Sequence, residues 1–169
     1  EDYTNYTEQD IIQAAKVFTG IVSDDTRNRF DIETGISQGF FVLNNHETNN
    51  KTFSHAFDNT TIIGAQSELE MFTELDEFIN MVFNKTATSI IICKKMYSYF
   101  VSSRITEEIE TDIIIPLAEE FKNNNYELLP TLKRLITSLH FFDIDDSEIN
   151  DEIIGGLIKS PLQQITEIY

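Results

Sequence analysis

A single cysteine, Cys93, stands among the 169 residues, and tryptophan is missing altogether. One thiol cannot close an intrachain disulfide and has no second thiol for a metal pair, so little room is left for thiol chemistry and the fold must rest on burial and hydrogen bonding. Positive charge is also scarce. Only 12 Lys and Arg face 29 Asp and Glu, for a formal net charge of −17. Such a chain repels a phosphate backbone and an anionic lipid surface, so nucleic acid is not an expected partner and solubility is the plain consequence. Long apolar runs are absent: the longest, residues 113–118, contains Pro116 and falls far short of the roughly 20 residues of a membrane span. Membrane insertion is therefore not expected. With neither an initiator Met nor a signal peptide at Glu1, the chain reads as a piece of a longer protein, its targeting segment elsewhere.

What is present is enough to build a core. Hydrophobic residues make up 41%, with 13 Phe and 6 Tyr, which argues against wholesale disorder. The length suits one domain over 1–169. Thr7, followed three residues later by Asp10 and then by Ile11, Ile12, Ala15 and Phe18 at helical spacing, predicts a capped helix over 7–19 that stops at Gly20. From 21 to 64 short apolar pieces alternate with runs of Asn, Asp, Thr and Gly, the pattern of a small antiparallel hairpin with long loops.

From 67 to 169 helical periodicity takes over and predicts a bundle. Leu69, Phe72, Leu75, Phe78, Ile79, Val82 and Phe83 form one stripe, with Glu68, Glu70, Glu74, Asp76 and Glu77 largely off it. Ile90, Cys93, Met96, Tyr97, Phe100 and Val101 form a second, and Ile105, Ile109, Ile113, Leu117 and Phe121 a third, in which Pro116 should kink or restart the helix. Leu128, Leu132, Leu135, Ile136 and Leu139 form a fourth, and Ser160-Pro161 opens a last helix. The class expected is α+β, mainly α: a helical bundle with a small antiparallel β-hairpin region, the stripes forming its core.

Chemistry-bearing residues are sparse. His46 lies in the polar loop Asn44-Asn45-His46-Glu47-Thr48-Asn49-Asn50-Lys51, where functional side chains often sit. As a reaction centre it would draw on His46, Lys51 and Asp58; as a metal site on His46, Glu47 and His55, with Asp31 also in reach of the loop. No recognised ligand spacing supports either, and a loop histidine bonded to backbone is the plainer alternative. His140, at a predicted helix end, is expected to cap it. The run from Asp143 to Glu148 resembles a calcium loop but fails its register, with Glu148 where the turn needs Gly and Ile154 where a bidentate Glu should stand. Nucleophile elbows and phosphate-cradling glycine loops are absent, Gly155-Gly156 reads as a turn, and neighbouring acids such as Glu107 and Glu108 do not face each other on a helix. No cofactor is expected.

Taken in order, Tyr6-Thr7-Glu8-Gln9-Asp10, the stretch from Ala14 through Phe18-Thr19-Gly20, His46 to Phe53, Cys93-Lys94-Lys95-Met96-Tyr97, Ile115-Pro116-Leu117-Ala118, the stretch from Leu135 to Phe142 and Ile158-Lys159-Ser160-Pro161 resemble the bacterial family known as domain of unknown function 1800, in its Bacteroidetes form. The resemblance spans almost the whole chain. It implies a long, exported protein, secreted, periplasmic or at the cell surface, whose partners are the remainder of the full-length chain and other exported proteins. Members of that family often carry Asp after the loop histidine and Arg before the segment at 95–97; here Glu47 and Lys94 stand instead. The family brings no established activity. The expected function is a structural or interaction module, with an enzyme or metal-dependent binding domain built on the His46 loop as the alternative.

Overall fold

The computed structural model describes residues 5–23, 32–36 and 39–142. Asp31, the acidic run from Asp143, Gly155-Gly156 and the helix expected after Ser160 lie outside the described residues. The chain divides into two compact units, Glu1–Lys85 and Thr86–Tyr169. Its class is the mainly helical α+β fold that the periodicity implies.

In the first unit, helix α1 (Glu8–Val17) starts from a complete capping box. Thr7 accepts from the Asp10 backbone, and the Asp10 carboxylate takes the Thr7 N–H at 2.7 Å. Asp10 then reaches across the chain: Ser54 donates its N–H to one carboxylate oxygen at 2.6 Å and its hydroxyl to the other at 2.7 Å. The helix ends as expected just before Gly20, whose φ of +75° suits glycine, and where a Cβ would sit 2.7 Å from the Val42 carbonyl. Two small antiparallel sheets follow in place of one hairpin: β1 (Ile21–Ser23) with β2 (Gly39–Phe41), and β3 (Lys51–Thr52) with β4 (Thr61–Ile62). The β3–β4 connection turns through Asp58 and Asn59, both left-handed, a conformation these two residue types tolerate.

Helix α2 (Glu68–Phe83), capped by Ser67, completes this unit. Its core joins Val17, Phe53, Ile62 and Met81, with Leu75, Phe78 and Val82 packed alongside. The stripe expected on α2 is partly wrong. Leu69 is 81% exposed and Phe72 64%, and Ile79 and Phe83 are exposed as well. The buried line is Met71, Glu74 and Met81 instead. The helix is rotated so that an acid and two methionines face inward, and β3 and its loop supply the partner that makes burying the acid tolerable.

The second unit holds α3 (Thr86–Phe100), α4 (Glu107–Ile109), α5 (Ile115–Asn123) and α6 (Leu128–Ile136). Between α4 and α5 the chain widens into a π-helical turn, Glu110–Ile114. Pro116 is the physical reason: it has no N–H to offer the Asp112 carbonyl and its ring crowds that group, so the turn before it opens and the helix restarts. Cys93, Tyr97, Ile109, Ile114, Leu117, Ala118, Phe121 and Leu135 make the core. At the fourth stripe Leu128 is 58% exposed and Leu139 is exposed too, Leu132 and Ile136 are half-buried, and Leu135 is buried. His140 does not cap α6. Its Nε2 lies 2.7 Å from the Tyr97 hydroxyl, and the two rings stack at 5.6 Å.

Candidate functional site

The first unit buries three ionisable side chains against one another. His46 closes a 3-10 turn, Leu43–Asn45, that follows β2; Lys51 opens β3; Glu74 sits in the middle of α2. Their side chains are 1%, 0% and 1% exposed. Lys51 Nζ lies 2.6 Å from Glu74 Oε1 and 3.3 Å from His46 Nε2, and it also donates to the Glu47 carbonyl. Glu74 Oε2 takes His46 Nε2 at 3.0 Å and the Ala65 N–H at 2.8 Å.

The imidazole is fixed from its other side. Nδ1 stands 2.7 Å from the Thr19 carbonyl, which can only accept, so Nδ1 carries a hydrogen. The Thr19 hydroxyl donates to the Lys16 carbonyl at 2.6 Å and accepts the Glu47 N–H at 2.8 Å. Nε2 therefore lies between a carboxylate oxygen and an ammonium. With a hydrogen it donates to Glu74; without one it accepts from Lys51. One proton decides which.

Local backbone makes this closeness possible. A Cβ at Gly20 would come within 3.0 Å of the His46 Cβ. At Gly64, just before Ala65, a Cβ would meet the Thr48 carbonyl oxygen at 2.1 Å. The loop around His46 thus lies directly on two glycines that bring α1 and α2 to it.

The family model described as Protein of unknown function (DUF1800) matches residues 2–169. The chain belongs to that family. No curated protein and no solved structure matches the chain.

Within this DUF1800 chain the residues singled out in the sequence scatter. Of the reaction set, Lys51 does converge on His46, whereas Asp58 lies at an exposed turn and pairs with Lys85 at 2.6 Å. Of the metal set, the Glu47 side chain turns outward to the Asn49 N–H at 3.1 Å and its amide at 2.6 Å, and these two bonds hold its carboxyl below the ordinary range. His55 is exposed in a 3-10 turn, His55–Phe57. Among the described residues no group of three His, Cys, Asp or Glu side chains converges. Glu74 is a site residue outside the sequence-predicted sets, since the expected apolar stripe of α2 leaves it among the acids off that stripe. Its signal was the alternative stripe Met71, Glu74, Phe78 and Met81, spaced at i, i+3, i+7 and i+10. Two cavities of this unit, of about 260 and 420 Å³, are lined by other residues, the first by Ile11, Phe53 and Phe78 and the second by Asp58, Glu77 and Asn80 among others.

Proposed function

We propose that the chain is a non-enzymatic structural or interaction module of an exported or cell-surface bacterial protein, in which the His46–Lys51–Glu74 cluster is an internal tie. Its partners are then the remainder of the full-length chain and other exported proteins. The observation that carries this reading is the closure of the cluster. A reaction centre must meet a substrate, and these side chains, 0–1% exposed, spend their hydrogen-bonding groups on one another and on the Thr19, Glu47 and Ala65 backbone. That arrangement ties the end of α1, the loop before β3 and the middle of α2 together. The acidic surface suits solubility outside the cell.

The test is fractionation of cells expressing the full-length protein, together with elemental analysis of the purified chain. Recovery outside the cytoplasm without stoichiometric metal is the expected result. A cytoplasmic location, or a metal that copurifies one to one and is lost on replacing His46, would favour the alternative: an enzyme or metal-dependent domain on the same loop.

A further inference from the structure

We propose that Lys51 and Glu74 become joined by an amide bond that the chain forms on itself, so that β3 is covalently tied to α2. This deepens the reading of the cluster as an internal tie and rests on it. Three features that such a condensation requires coincide here. The amine and the carboxyl touch, with Nζ 2.6 Å from Oε1, and side-chain exposures of 0% and 1% keep out the water that would reverse the reaction. A proton carrier reaches both groups: His46 Nε2 is 3.3 Å from Nζ and 3.0 Å from Oε2. The Ala65 N–H, 2.8 Å from Oε2, polarises the carboxyl and stabilises the charge that develops on that oxygen when Cδ is attacked.

The reaction balances without any other reagent. Ammonium and carboxylate become amide and water. One proton passes from Nζ to Oε1, 2.6 Å away. The Nζ–Cδ bond forms, His46 Nε2 takes a second proton from Nζ and returns it to Oε1 as the Cδ–Oε1 bond breaks, Oε1 leaves as water with both protons, and Oε2, held by the Ala65 N–H, becomes the amide oxygen. Nothing is oxidised or reduced. With Cys93 as its single cysteine the chain has no disulfide to do this work.

Intact mass spectrometry of the denatured protein, taken from a preparation that is helical by circular dichroism, tests the proposal. The expected mass is one water below that of the sequence, with a branched proteolytic peptide linking the segment of Lys51 to that of Glu74. The full sequence mass overturns the proposal. So does a one-water deficit that fragmentation places on a cyclised Glu1 or an aspartyl succinimide. Lys51→Arg should restore the full mass whether or not that variant folds, and a persisting deficit would again overturn the assignment. His46→Gln should lower the linked fraction several-fold at equal helicity, and an unchanged fraction removes His46 from the step. The mass says nothing about cellular location, so this proposal and the exported-module reading can fail separately.

Discussion

At the scale of single residues, Asp10 shows how much one side chain can carry. Burial raises its carboxyl, but the bonds from Ser54 and Thr7 outweigh that and hold it below its ordinary 3.8. A carboxyl depressed on folding contributes stability that is present above its unfolded value and is lost as pH falls through the folded one. Asp10→Asn should therefore cost about 2 kcal/mol near neutral pH, from weakened charge-assisted hydrogen bonds. In urea unfolding, the gap between wild type and variant should narrow as the pH drops below 3.8. A gap independent of pH would count against this role. Cys93 is the opposite case, a fully buried thiol pushed up to about 11 by desolvation. Because the thiolate is the reactive form, Cys93 should resist alkylation at mildly alkaline pH in the native chain and react at once in denaturant. Rapid native labelling would show that the core of the second unit is not closed around it.

At the scale of elements, α2 is the instructive one. Its apolar residues are numerous enough to draw two stripes, and of the one richer in Phe and Leu only Leu75, Phe78 and Val82 pack inward while Leu69, Phe72, Ile79 and Phe83 are left exposed. A stripe weighted by hydrophobicity alone passes over an acid, whereas the fold places Glu74 inward because Lys51 and His46 wait there. The two stripes give opposite mutational expectations. Met71→Ala, at a position 2% exposed, should cost about 2–5 kcal/mol, and Leu69→Ala, at 81% exposed, should stay within about 0.5 kcal/mol. Chemical denaturation of the two variants side by side checks the orientation of the helix, and a reversed order would mean that α2 is turned the other way. By contrast α1 was legible to its cap, because the Thr7–Asp10 spacing and Gly20 are local signals. The Pro116 restart was legible for the same reason. The pairing of β3 with β4 was not, since Lys51-Thr52 carries no apolar pattern and its strand character comes from the partner Thr61-Ile62.

For the whole molecule, composition and periodicity foretold a mainly helical α+β chain, and the family match over residues 2–169 agrees with the resemblance carried by its motifs. The cluster was only half legible. His46 and Lys51 stand five residues apart in one loop and could be suspected, but Glu74 arrives through tertiary packing, which no spacing announces. The central claim is that these three side chains are a buried tie on which the first unit depends. Urea unfolding of Lys51→Met tests it most directly. The substitution keeps a four-atom stem but removes the nitrogen, so that neither the ion pair nor the amide proposed above can form and the Glu74 carboxylate is left inside with its charge partner gone. Breaking such a buried pair on one side costs about 3–5 kcal/mol, so the midpoint should fall steeply, and a loss of that size is the result expected. A variant within about 0.5 kcal/mol of wild type, the range of an ordinary surface substitution, would contradict the account.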